Sequence, residues 1–187
     1  MNLERLLAPD EQLAAAAGAI ERAPRASLAR LVATMIGGAA VSGFAVYIGT
    51  HWLTTLWSLE LGFIPAFADR VDPLRAMMFA MLAGPLLLAA AFTLVAPFFG
   101  APRRPLAALA VAVIGMTPIY VAGAAMFFLP AVLLMLLAFI VSCFRWGRGA
   151  QRLLGVREGE TAEFIAITLI ATSLALQIAS HLAADLL

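Results

Sequence analysis

The uncharged run from Pro105 to Phe144 constrains this chain more than any other feature. As one helix, at about 1.5 Å per residue, it would measure about 60 Å, twice the hydrocarbon core of a bilayer. It must therefore fold back on itself. Gly115, Pro118, Gly123 and Pro130 interrupt its otherwise aliphatic and aromatic sequence. Proline disfavours the helical region for the residue before it and lacks a backbone donor, yet it suits the first position of a new helix. The reversal is accordingly expected between Thr117-Pro118 and Pro130, with Gly123 supplying unusual backbone angles. Two short full crossings and a re-entrant hairpin both satisfy these constraints.

Composition says what kind of solvent this run meets. The 187 residues are 64% hydrophobic and 12% charged, against about 25% charged in an ordinary soluble domain. Runs long enough to cross a bilayer predict an all-α, polytopic membrane helical bundle. Its five transmembrane helices fall at approximately 31–52, 76–99, 105–122, 126–145 and 162–184. The loop Gly100 to Pro105 reads as a short turn at the membrane surface. Glu158, Glu160 and Glu163 gather where the last helix begins, and carboxylates there suit the helix dipole. Residues 1–30 mix acids with arginines and contain no signal peptide, so insertion is expected to use the spans themselves.

Arginine tests the topology, because cations are retained on the cytoplasmic side. All 12 cations are arginine. With the N-terminus cytoplasmic and the C-terminus outside, ten fall on the inner side and only Arg70 and Arg75 outside. Were the long run a single span, Arg145, Arg148, Arg152 and Arg157 would move out and the bias would vanish. The absence of lysine, with abundant alanine, reads as a bacterial habit, and the expected location is a bacterial cytoplasmic (inner) membrane.

Met116-Thr117-Pro118, a short apolar interval to Leu129-Pro130, a long aliphatic helix and the turn Arg152-Leu153-Leu154-Gly155-Val156 together resemble the Yip-domain family. These are five-span membrane proteins named for interaction with Ypt and Rab GTPases in eukaryotes, with many bacterial members of unassigned role. The likeness extends over about residues 94–176, and Thr117, Pro118, Pro130 and Gly155 carry it. It implies a cytoplasmic N-terminus, a very short outer C-terminus and one membrane domain over 31–187. The front, residues 1–30, offers no partner motif, so the resemblance does not extend to a GTPase partner.

Reactive constellations are missing from the sequence. No Asp, Glu or Arg lies within the five expected spans away from an end, where an ionisable group would mark an ion path, a proton relay or a catalytic site. No serine has a base and an orienting acid in reach, and neither His51 nor His181 has a second metal ligand at a suitable spacing. No enzyme activity, cofactor, metal or nucleic acid is therefore expected. Cys143 excludes an internal disulfide and reads as a packed thiol.

What remains are contact features. Small residues recur at helical spacing in the first span, Gly38 with Ser42, Ala39 with Gly43, and Ala45 with Gly49. Such pairs let helix backbones approach closely, either within the chain or against another protein. Thr168, Thr172 and Gln177 fall nearly on one face of the last span, as an interhelical seam or a wall of a polar cavity. Trp52, Trp57, Phe63 and Phe67 mark the outer loop as an interfacial segment. Leu3, Leu6, Leu7, Leu13, Ala17 and Ile20 predict an amphipathic front starting afresh at Asp10 and stopping near Pro24, lying over the inner ends of the spans.

The expected function is a non-catalytic integral membrane scaffold or accessory subunit that binds another membrane protein or itself. The alternative is a small permease or channel component working as an oligomer. Its polar path would have to come from Thr117, Tyr120, Thr168, Thr172, Ser173 and Gln177.

Overall fold

A computed structural model describes residues 9–57, 73–125 and 132–186. The helices are α1 (Pro9–Arg22), α2 (Pro24–Trp57), α3 (Pro73–Val95), α4 (Pro105–Ala125), α5 (Val132–Gly149) and α6 (Thr161–Leu186). A 3-10 turn, Ala96–Phe99, extends α3; a π turn, Ala150–Leu154, extends α5; and a 3-10 turn, Glu158–Glu160, precedes α6. Among the described residues five helices are long and apolar enough to cross a membrane. The protein is thus an all-α, multi-pass membrane protein.

Helix α4 fills the axis of the bundle, packed against α2, α3 and α5. Ala110, Val111, Ala112 and Val113 are each exposed by 1% or less. Four consecutive positions cover the whole circumference of a helix, so α4 is enclosed on every side at this level. The small alanine and valine side chains suit that position, because membrane helices gain from close packing rather than from hydrophobic exclusion. Helix α6 is peripheral by contrast: it packs chiefly on α3, and only 17% of its span is buried against 61% for α4.

Two differences from the sequence expectation are informative, beside α2 ending at Trp57 rather than 52, α3 beginning at Pro73 rather than 76 and α5 ending at Gly149 rather than 145. The front helix stops at Arg22, just before Pro24 as expected, but Pro24 is also the first residue of α2, and only Ala23 separates the two helices. Proline costs nothing at that position because its missing N–H would be unpaired anyway. Hydrogen bonds bridge the junction, from Ala23 N to Ala19 O and from Ser27 N to Ala23 O, each 2.9 Å. The first membrane helix therefore begins before Leu31, since charges end an apolar run without ending a helix.

The second difference concerns Pro118, which interrupts neither chain direction nor helix. Helix α4 runs through it to Ala125, beyond the expected end at residue 122. Packing holds the segment helical, with Ile119, Tyr120, Ala122 and Gly123 all buried. A lost backbone bond inside a membrane bundle is tolerated when neighbouring helices enclose the site. Gly123, expected in the turn, is helical. Helix α5 is described from Val132, and the expected helix start at residue 126, the expected reversal and Pro130 fall outside the described residues. So do Leu3, Leu6, Leu7 and the outer-loop residues 58–72.

The described positive-φ glycines are Gly100 (φ 70°) and Gly155 (φ 83°). Each closes a helix at the same end of the bundle. Ala101 N donates to Ala96 O and Val156 N to Ala150 O, each at 3.1 Å, and Ala101 and Val156 are then buried. Glycine is needed there because a side chain strains the left-handed region. Gly155→Ala is expected to cost about 1 kcal/mol, read as a lowered unfolding midpoint in detergent. Gly159→Ala, where nothing lies within 4 Å of an added β-carbon and φ is ordinary, is the matched control.

Candidate functional site

The small residues of α2 are where sequence and structure meet most directly. Ala39 and Ser42 are fully buried and Gly43 is buried beside them, while Ala45 is 7% exposed. This face lies against α4. A β-carbon built on Gly38 falls 2.6 Å from a ring carbon of Tyr120. One built on Gly123 would overlap the Ser42 hydroxyl. Gly123 is thus a close-approach glycine between α4 and α2. The surroundings of Gly49, His51, Trp52, Trp57 and His181 lie outside the described residues.

Adjacent glycines separate packing from propensity. Gly37 has nothing within 4 Å of an added β-carbon, whereas Gly38 meets the Tyr120 ring. Gly37→Ala is therefore expected to be neutral or to stabilise by a few tenths of a kcal/mol up to about 1 kcal/mol. Gly38→Ala is expected to destabilise by about 1–3 kcal/mol, because the aromatic ring must move out of a filled core. Reversible unfolding in mixed micelles distinguishes them, and equal effects would overturn the α2–α4 contact.

Helices α4 and α5 cross by the same device on a larger scale. Trp146 is 2% exposed, its indole N–H donates to Ala112 O at 3.3 Å, and its ring occupies the space a side chain on Gly115 would need. Further along, a β-carbon on Gly149 would lie 2.8 Å from Val111 Cγ1. Phe139 packs edge-on to Trp146, with centroids 6.1 Å apart.

The residues of the family-like motif do not converge. Thr117 and Pro118 are half-buried within α4, and Gly155 caps the π turn after α5. Leu153, Leu154 and Val156 of the Arg-Leu-Leu-Gly-Val turn join the hydrophobic core. Thr168, Thr172 and Gln177 diverge as well. Thr168 is fully buried and donates to Phe164 O and Ile165 O, both 2.9 Å, and Thr172 donates to Thr168 O at 2.7 Å. Gln177 is exposed. Both hydroxyls therefore donate their protons to carbonyls of their own helix.

One end of the bundle carries the charge. Nine arginines have described side chains, and all nine fall on the α1 side, in α1, the start of α2, the Gly100–Arg104 turn and the stretch from Arg145 to Arg157. Eight are exposed; Arg145 is 5% exposed. Helix α1 lies over this end, with Leu13 at 2% exposure inside the core cluster and Ala17 and Ile20 packed against it. Arg145 Nη2 donates to Gln12 Oε1 of α1 at 2.6 Å, while its Nε is buried with no acceptor. An unsatisfied buried donor costs about 1–3 kcal/mol, more when charged. The sequence classed Arg145 with the interfacial cations; no periodicity or spacing signal could have separated it from Arg148.

At the same end a cleft of about 650 Å³ opens between the end of α3 and the start of α6. Val95 and Phe98 from α3 and its terminal turn line it together with Arg157, Glu160, Glu163 and Ile167. Arg157 and Glu160 pair at 3.7 Å in solvent. Among the described residues no three His, Cys, Asp or Glu side chains group closely enough to hold a metal ion.

No protein-family model matches the chain, nor does any curated protein or solved structure.

Proposed function

We propose that this chain is a non-catalytic scaffold or accessory subunit of the Yip-domain type in a bacterial inner membrane, with the α1 end cytoplasmic. It holds another integral membrane protein against the outward faces of α5 and α6. The observation that carries this reading is the contrast between a filled axis and an unfilled periphery. Around Ala110–Val113 helix α4 is enclosed on every side, so among the described residues the axis is filled at that level. Leu133 and Phe144 of α5 stand 73% and 71% exposed, and Ile170 and Ile178 of α6 each stand 61% exposed. Lipid covers such faces by default; a second bundle covers them equally well and gains packing by doing so. The arginine-rich end supports the orientation, because cytoplasmic loops retain cations.

The test uses the full chain in its native membrane. A photoreactive residue at Leu137 or Ile170 is expected to cross-link one stoichiometric partner that co-purifies in mild detergent, and one at buried Val113 to give none. A lone homo-oligomer that conducts solute in vesicles would sink the scaffold reading. Orientation is read separately, with Cys143 removed and single cysteines at Ser58 and Gln151. An impermeant thiol reagent on intact cells is expected to label only Ser58→Cys, and labelling at Gln151→Cys would reverse the orientation.

A further inference from the structure

Arg145 is the one described arginine that the fold removes from solvent, and among the described residues it meets no counter-ion. Guanidinium offers five donors in a planar fork. Among the described residues it forms no ion pair: one donor meets the neutral Gln12 amide oxygen at 2.6 Å and Nε meets nothing. A buried cation is tolerated when an anion and further hydrogen bonds compensate its lost hydration. Here the described residues supply one amide. The location indicates what supplies the rest. Arg145 lies one turn before the end of α5 (Val132–Gly149), beneath an amphipathic helix whose apolar residues Leu13, Ala17 and Ile20 face the bundle. The exposed arginines gathered at this end place it at the headgroup level of a bilayer. That is the depth of lipid phosphates, and a planar guanidinium fork matches two phosphate oxygens.

We propose that Arg145, roofed by α1 and flanked by Gln12, is a specific binding site for a phosphate group, as borne by an anionic lipid headgroup or a soluble phosphate ester. Generic attraction by exposed arginines differs from this, since it falls on every cation at that end alike. The site depends on one buried side chain. It is independent of the scaffold reading, and the two can fail separately.

The test is the thermal unfolding midpoint of the purified full chain in a neutral detergent, titrated with phosphatidylglycerol, with diacylglycerol lacking the phosphate, and with glycerol 3-phosphate. A ligand that binds the folded state raises the midpoint saturably. Phosphatidylglycerol is expected to do so and diacylglycerol not. Stabilisation by glycerol 3-phosphate at similar concentration identifies a soluble ester as sufficient; stabilisation by the lipid alone identifies the headgroup. Arg145→Gln is expected to raise the half-saturating concentration at least about tenfold, the loss of a charge-assisted bidentate contact. Arg145→Lys, which keeps the charge and loses the fork, is expected to fall between. The double variant Arg103→Gln/Arg104→Gln, on the neighbouring exposed turn, is expected to bind as wild type. Gln12→Ala keeps the guanidinium and removes its one acceptor, so it is expected to bind at least as tightly; it carries the test if Arg145→Gln fails to fold. Wild-type affinity in Arg145→Gln, equal stabilisation by diacylglycerol, or equal weakening by the Arg103/Arg104 variant would overturn the site.

Discussion

Gly115→Val is expected to destabilise the protein by about 3 kcal/mol, the upper range for overpacking a filled core. The added side chain must occupy space that the Trp146 indole already fills. Trp146 is 2% exposed and donates to Ala112 O, so moving it forfeits both its packing and its hydrogen bond. Trp146→Ala alone is expected to cost about 3–5 kcal/mol by leaving a cavity. The two are coupled: with the indole gone the valine has room, so the double variant should fall well short of the sum of the singles. Reversible unfolding in mixed micelles of the four proteins measures this coupling, and contacting residues commonly show about 0.5–3 kcal/mol. Strict additivity would mean that α4 and α5 do not cross at Gly115.

The second large effect belongs to Phe164. Its ring is fully buried at the start of α6, stacked on Phe92 with centroids 5.6 Å apart and edge-on to Phe99 at 5.4 Å. Both partners belong to α3 and its terminal turn, and only 17% of the α6 span is buried at all. This aromatic trio is therefore the main attachment of a peripheral helix. Phe164→Ala is expected to cost about 3–5 kcal/mol, with part of the loss from the aromatic pairs at about 0.5–1.5 kcal/mol each. The loss is local. A cysteine placed at Thr168, fully buried in the wild type, should become reactive to thiol reagents in the Phe164→Ala background with Cys143 removed, while the other four spans remain intact. Phe98→Ala, at a residue 86% exposed, should leave that cysteine protected. Equal protection in both would place the attachment of α6 elsewhere.

Much of the architecture was legible because a bilayer imposes a length rule. Runs such as Ala76 to Phe99 declare themselves by apolar length alone, and α1 by the spacing of Leu13, Ala17 and Ile20. Helix ends were less legible. Pro24 and Pro118 are each compatible with either a break or a helix: Pro24 because proline suits a first position, Pro118 because enclosure by neighbours offsets a lost backbone bond. Gly123 shows the same ambiguity from the other side. A glycine permits a turn and equally permits a close helix crossing, and only the position of Ser42 decides between them. Thr168 and Gln177 share a periodicity but not an environment, since one lies under α3 and the other at the periphery.

By itself the sequence determined that this is a helical membrane protein with five spans, that the run from Pro105 to Phe144 reverses, and that arginine gathers at one end. Those properties follow from local composition against the thickness of a bilayer. The tertiary structure alone decided which helix occupies the axis, which glycines are contacts, and that Arg145 is buried while Arg148 is exposed. Burial of a single side chain is set by what another segment places over it, here α1 folded onto the end of α5, and no local pattern around residue 145 encodes where residue 12 will lie.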